Sequence, residues 1–139
     1  MTGDRAYPKP LPKPSDLTRP FWEAAKRHEL LIQRCSACGR YVFYPRPICD
    51  NCLSPDLQWT RVSGKGRVYS YTVIRQAASK RFAPDVPYLF AIVELAEGPR
   101  MATNLVDCPL ERARVGLPVE VFFDDVTDEY ALVKFRPVE

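Results

Sequence analysis

Histidine is almost missing from this chain: His28 is the single one in 139 residues. A histidine-based catalytic triad or a histidine metal set therefore has little to draw on. Glycine is scarce as well, with six in all. None of them falls in a Walker A loop, a dinucleotide fingerprint or a nucleophile elbow. No run of about eighteen apolar residues occurs, so no membrane span is expected. Residues Met1 to Arg5 lack an apolar signal core, which points away from secretion and toward a reducing, cytoplasmic setting. The net charge is only +3. Four thiolates and one Zn²⁺ would bring it to about +1, which is not the footprint of a dedicated nucleic-acid binder.

Proline and cysteine are plentiful instead, with 14 and 5 residues. Four of the cysteines, Cys35, Cys38, Cys49 and Cys52, form two Cys-x-x-Cys pairs separated by ten residues. Each such turn aims two sulfurs at one point, and two turns give the four corners of a tetrahedron, the geometry zinc prefers. A closed set of four thiolates leaves no open coordination position, so the expected role is structural. Iron in a rubredoxin-like centre accepts the same ligands, a thioredoxin-type pair would leave one motif unexplained, and disulfides suit secreted chains. Gly39 follows the first pair, whereas Leu53 stands at the matching place after the second, so a less regular second turn is expected. Arg34, Arg40 and Arg46 flank the cluster and are placed to offset its negative charge.

Three segments are expected: a proline-rich arm over 1–17, a helix plus ribbon over 18–62, and a barrel over 63–139. Alternating prolines from Pro8 to Pro14 prevent helix and favour an extended arm, either a loose tail or a strap across a partner. A short helix follows, with Thr18 as its cap, Pro20 in its first turn and Glu23 near its positive end. Its Phe21–Trp22 pair must pack on something, either the chain's own ribbon or another subunit. His28 falls at the helix C-terminus, where it suits the helix dipole. Glu29–Arg34, Tyr41–Tyr44 and Leu57–Val62 read as the ribbon strands, with Pro45 and Pro47 ending the second.

The second half reads as β throughout. Gly66–Ile74, Tyr88–Leu95, Arg100–Leu105, Val119–Phe123 and Tyr130–Phe135 are five strands in about 75 residues, which fits a small OB-type barrel. An open three-stranded sheet with extra hairpins is the structural alternative. Gly64-Lys65-Gly66 allows a bulge or tight bend at the barrel entry. Loop 75–87 carries Arg75, Lys80 and Arg81 with an exposed-looking Phe82. It reads either as a mobile surface loop or as a clamp for a phosphate or a partner chain. Cys108 has no histidine nearby in sequence, so a small apolar role outweighs that of a nucleophile. The pairs Asp124-Asp125 and Asp128-Glu129 fall at a hairpin tip, where solvated charge is ordinary. The constellation needed for covalent chemistry is thus missing, and the chain reads as a binding platform.

Several pieces together carry a family likeness. They are Pro20-Phe21-Trp22, Cys35-x-x-Cys38-Gly39, Pro45-Arg46-Pro47-x-Cys49-x-x-Cys52, Gly64-x-Gly66-x-Val68-Tyr69-Ser70-Tyr71-Thr72, Val93-Glu94-Leu95-x-Glu97-Gly98, Gly116-x-Pro118-Val119 and Phe135-Arg136-Pro137. In this order, from about Thr18 to Val138, they resemble the OB-fold, zinc-ribbon acyl-CoA-associated proteins known as domain of unknown function thirty-five. The resemblance implies a mainly β fold with structural Zn²⁺ on Cys35, Cys38, Cys49 and Cys52. It implies a small, non-catalytic partner of a thiolase-superfamily enzyme in a hetero-oligomer. Enzymes of that superfamily make or break carbon–carbon bonds next to a CoA thioester. Acyl-CoA is then a ligand shared with the partner subunit, with no nucleic acid and no membrane involved. Phe21 and Trp22 become docking candidates, and Arg75, Lys80, Arg81 and Phe82 become candidates for meeting CoA. A nucleic-acid-binding OB and zinc-ribbon module is the alternative, with Tyr69, Tyr71, Phe90 or Tyr130 stacking bases; alternation along the strands is expected to put about half of these rings inside the barrel.

Overall fold

The computed structural model describes residues 7–138. The first six residues of the expected arm, the N-terminal leader region and Glu139 lie outside the described residues. The fold is mainly β. Helix α1 (Arg19–Lys26) leads into a three-stranded antiparallel sheet of β1 (Leu31–Cys35), β2 (Tyr41–Val42) and β3 (Leu57–Arg61), in the order β2-β1-β3. The barrel follows, built from β4 (Lys65–Ile74), β5 (Tyr88–Leu95), β6 (Arg100–Leu105), β7 (Pro118–Asp125) and β8 (Ala131–Pro137). Its order is β4-β5-β6-β8-β7 and it is closed, which removes the open-sheet alternative. Closure is made by Lys65–Arg67 of β4 against Pro118–Glu120 of β7. The single parallel step, Leu105 beside Phe135, joins β6 to β8.

Helix, ribbon and barrel share one apolar core. Phe21 of α1, Ile32 of β1 and Val62 beyond β3 pack in the same cluster as Val68, Val93, Leu117, Val119 and Phe135 of the barrel. Phe135 is fully buried, and α1 touches both β7 and β8. An eight-residue helix is unstable in isolation, so this burial is what holds it. Phe21 also sets its ring 5.1 Å from Trp22, edge to face, and 5.8 Å from Phe43 of the ribbon.

Several local expectations change. Thr18 occupies the cap position but its side chain does not cap the helix. Its Oγ1 instead accepts the Ser15 amide at 2.9 Å, so the two residues close the preceding turn on each other. Glu23 falls beyond the first turn, which holds no acidic residue. His28 closes the helix C-terminus as expected, its amide donating to the Ala25 carbonyl at 2.9 Å, and at φ 62° its ring stacks on Phe123. Its Nε2 sits 2.9 Å from an Asp125 carboxylate oxygen, which fastens the helix exit to the β7–β8 hairpin. Asp124 is ion-paired with Lys134 at 2.6 Å and Asp125 is hydrogen-bonded to His28, so neither is merely solvated. Strand β2 stops at Val42, two residues short of the expected arm.

The irregularity in β4 falls between Val68 and Ser70, not at the glycines. Tyr69 is the extra residue, and Tyr69, Tyr71 and Phe90 are exposed while Tyr130 is half-buried. None of these four rings lies inside the barrel, contrary to the alternation argument. Gly66 serves another purpose. A Cβ there would collide with the Glu94 carbonyl oxygen and press on Val93, so glycine permits the close approach of β4 to β5. Gly66→Ala is expected to cost roughly 2 kcal/mol through overpacking. The melting temperature should fall by about 5–10 °C, measured by circular dichroism on the zinc-loaded protein; an unchanged value would contradict the close-approach role.

Candidate metal centre and the surfaces beside it

The two cysteine turns are built alike. The Gly39 amide donates to the Cys35 carbonyl at 2.8 Å, and the Leu53 amide donates to the Cys49 carbonyl at 3.0 Å. Each requires a left-handed residue at its close, supplied by Gly39 at φ 81° and by Leu53 at φ 65°. The second turn is therefore as regular as the first, and the expected irregularity is absent. Leucine reaches that conformation at a cost of about 1–2 kcal/mol that glycine avoids. Leu53 gains no packing in return, being 69% exposed.

These turns bring together the four sulfurs of Cys35, Cys38, Cys49 and Cys52, all within 4.8 Å of one another. Cys35 and Cys52 lie 3.5 Å apart and Cys38 and Cys49 3.7 Å apart. Zinc–sulfur bonds of about 2.3 Å in a tetrahedron put sulfurs roughly 3.8 Å from one another. The geometry thus fits a structural Zn²⁺ held by these four residues. Amides support the set: Cys38 N–H points at Cys35 Sγ and Asn51 N–H at Cys49 Sγ, while the Asn51 side chain donates to Cys38 Sγ at 3.7 Å. Such donors stabilise thiolate over thiol. The Arg40 backbone and Asn51 bring Cys38 down to about 6. Ser54 pulls Cys52 the same way, but its sulfur neighbours, Cys35 first, and desolvation win and push it up to about 12. Because a metal must displace the protons that remain, binding weakens as pH falls.

Gln33 was not anticipated as a support, yet it joins the two knuckles' approaches. This 4%-exposed amide donates to the Arg46 carbonyl at 2.9 Å and accepts the Arg46 amide at 2.7 Å. A polar residue in the middle of an otherwise apolar strand was its only signal. Asn51, one of the variable positions between two cysteines, carried no signal at all.

The remaining candidates separate. Phe21 is 7% exposed and belongs to the chain's own core, so it is withdrawn as a docking residue. Trp22 is half-buried and opens onto a groove of 380 Å³ with Phe43, Tyr44, Pro45, Phe90 and Met101. Arg75, Lys80 and Arg81 are exposed, and no ion pair reaches them among the described residues. Loop 75–87 is ordered by a 3₁₀ turn, Lys80–Asp85, whose start is capped by Ser79. Phe82 is half-buried rather than exposed. Lys9 of the proline arm lies 5.7 Å from its ring centroid and 2.6 Å from Asp85. Part of the arm is thus bound to its own chain, an outcome that neither a loose tail nor a strap on a partner predicted. Cys108 packs at the edge of the core and donates to the Pro109 carbonyl at 3.5 Å. Burial raises its pKa, and the lone histidine is engaged by Asp125. These features oppose a nucleophilic thiol.

A four-cysteine ribbon sharing its core with a closed five-stranded barrel defines a zinc-ribbon and OB-fold protein. Two family models match: "ChsH2, rubredoxin-like zinc ribbon domain" over residues 22–58 and "ChsH2, C-terminal OB-fold domain" over residues 59–124. A "DUF35 domain-containing scaffold protein" of Methanocaldococcus jannaschii is 36% identical over 131 residues, covering 88% of this chain and 92% of that one. The chain belongs to this ChsH2/DUF35 family. A "Probable enoyl-CoA hydratase alpha subunit" of Thermomonospora curvata is 40% identical over 94% of this chain, but the chain spans only 41% of that protein's length. Among solved structures, a chain of the "Ltp2-ChsH2(DUF35) aldolase" matches with a TM-score of 0.83 at 36% identity, covering 93% of this chain and all of that one. No helix among the described residues is long and apolar enough to cross a membrane.

Two outcomes test the centre. Leu53→Gly should hold or raise stability in excess zinc, and Gly39→Ala, whose new Cβ meets nothing closer than 3.9 Å, should lose about 1–2 kcal/mol to backbone strain. Denaturant melts of both variants check this. Chelator-driven loss of zinc, followed with a chromogenic indicator, should be markedly faster at pH 5 than at pH 8, because protons compete with the metal for the thiolates.

Proposed function

We propose that the chain is a non-catalytic scaffold subunit that binds and stabilises a thiolase-superfamily enzyme acting on acyl-CoA. Residues 18–62 form the unit that docks and residues 63–139 the barrel that buttresses it. The observation that carries this is the match, over the whole length of the solved chain, to a subunit of an aldolase complex. The absence of a usable base beside Cys108 supports the same view. The nucleophile and base belong to the partner, which forms or cleaves the carbon–carbon bond. Trp22 and the groove beside it offer the partner an aromatic anchor of the kind that dominates interfaces. The exposed cations Lys80 and Arg81 lie on a capped turn, with Arg75 earlier in the same loop, and the three are suited to CoA phosphates. The chain works in a reducing, cytoplasmic compartment, where four thiolates keep their metal.

The exposure of Tyr69, Tyr71 and Phe90 gives the nucleic-acid alternative more than the sequence did. Three of its cations are engaged elsewhere, however. Arg67 and Arg100 both reach Glu94, Arg100 covers the Tyr69 ring at 3.7 Å, and Arg136 reaches Glu120. Oligonucleotide affinity measured against salt is expected to be weak; a steep salt slope with tight binding would favour that alternative.

The scaffold role is tested by co-expressing the tagged chain with thiolase-superfamily proteins of the same genome. One of them should co-elute in size exclusion and gain activity or solubility from the pairing. Cys108→Ser should leave the activity of the complex within about twofold. A chain that stays alone at every concentration, with no effect on such an enzyme, would overturn the proposal.

A further inference from the structure

The barrel closes over only part of β4. Lys65–Arg67 pair with β7. Val68 is taken by the loop before β7, its amide donating to the Leu117 carbonyl and its carbonyl accepting the Gly116 amide. From Ser70 to Ile74 the strand pairs with β5, and no strand among the described residues pairs with its other side. Every second residue of such an edge turns its N–H and C=O away from its one neighbour. A row of main-chain groups at that spacing is matched by another extended backbone.

The side chains agree with an open edge. Natural edges are blunted with charge, proline or a bulge. The bulge at Tyr69 stands before this stretch, and Ser70–Ile74 holds neither charge nor proline. Tyr69 to Thr72 are exposed in succession. Tyr71 stands opposite Ala91 and so shares the sheet face of the buried Ala91 and Leu89. It is nevertheless 37% exposed, because β7 parts from β4 after Arg67 and no strand covers that face beyond it.

The limits of the edge select its occupant. It is bounded by Val68, whose groups are taken, and by Arg75, where the loop begins, so its midpoint is Thr72. Antiparallel pairing about a two-fold axis at Thr72 uses the whole edge. It sets Thr72 against Thr72, Tyr71 against Val73 and Ser70 against Ile74 of a second copy. Threonine with threonine and aromatic with β-branched are favoured cross-strand neighbours. The nearby charges fall outside this ladder. Arg67 and Arg100 are held by Glu94 at 2.9 Å and 3.5 Å, and Arg75 faces the ring of Tyr69 in the second copy. An axis at Tyr71 would instead oppose Arg67 and Arg75, two cations face to face, which is unfavourable.

We infer that Ser70–Ile74 is a docking edge for a second copy of this chain, joined antiparallel about a two-fold axis at Thr72 so that one sheet runs through both barrels. The contact goes beyond the scaffold role and needs no thiolase-superfamily subunit. Five residues a side fall short of the roughly 1,200 Å² of a standard interface, so the dimer is weak, with a Kd on the order of 0.1 mM.

The test follows the zinc-loaded full chain by sedimentation equilibrium across concentrations spanning that Kd. The parent should pass from monomer to dimer. Thr72→Lys opposes two cations at the axis and Thr72→Glu two anions, and each alone should raise the Kd roughly tenfold or more. Thr72 is exposed, so the circular dichroism melts of both variants should match the parent's. An equimolar mixture of the two variants should recover dimerisation, because lysine then faces glutamate; a merely structural role for Thr72 would give no such recovery. A parent that stays monomeric, variants that dimerise as the parent does, or a mixture that stays monomeric overturns the pairing. A monomeric parent whose complex with the co-eluting thiolase-superfamily subunit is weakened by Thr72→Lys assigns the edge to that subunit and overturns it equally. In each of these outcomes the scaffold role is decided separately, by the co-expression test.

Discussion

Four sulfurs meeting at one point are the constraint on which the ribbon depends. Its tip has almost no interior of its own: Cys35, Val42 and Cys49 are its buried residues, with Leu57 packed against them. So small a cluster cannot offset the entropy of ordering two turns and the segment between them. A bound metal can, because the ligands converge only in the folded chain, so the binding free energy becomes folding free energy. The hydrogen bonds around the cluster follow from that choice. Both turns close on left-handed residues, Asn51 gives amides to two sulfurs, and Gln33 holds the incoming segment at Arg46.

The far end of the ribbon depends on the barrel instead. Ile32 and Val62 enter the cluster that contains Phe135 and Val93, and α1 reaches the barrel with Phe21 while His28 ties its exit to Asp125. The ribbon is thus fixed by metal at one end and by apolar packing at the other. Such a body presents its loops in set positions without needing a large core. The groove beside Trp22 and the exposed turns lie on that frame.

The cysteine pairs and the strand pattern were legible before any coordinates. Two Cys-x-x-Cys pairs imply convergence because the turn itself aims the sulfurs, and five alternating segments imply a barrel because small sheets must hide their edges. Other features were not legible because they depend on contacts far apart in sequence. Phe21 turned inward because Phe43 and the barrel core lay above it. Tyr71 stayed exposed although the bulge at Tyr69 sets it opposite the buried Ala91. Lys9 met Asp85 across 76 positions, and His28 met Asp125 across 97.

The sequence by itself therefore determined the four-cysteine set and the order of ribbon and barrel. Each of these is a matter of residue type and short spacing. Only the tertiary structure decided which aromatics serve the core and which face outward, where the proline arm rests, and that Leu53 takes a glycine's conformation while standing exposed. Those outcomes are set by how separate segments pack, and local spacing carries no record of a neighbour it has yet to meet.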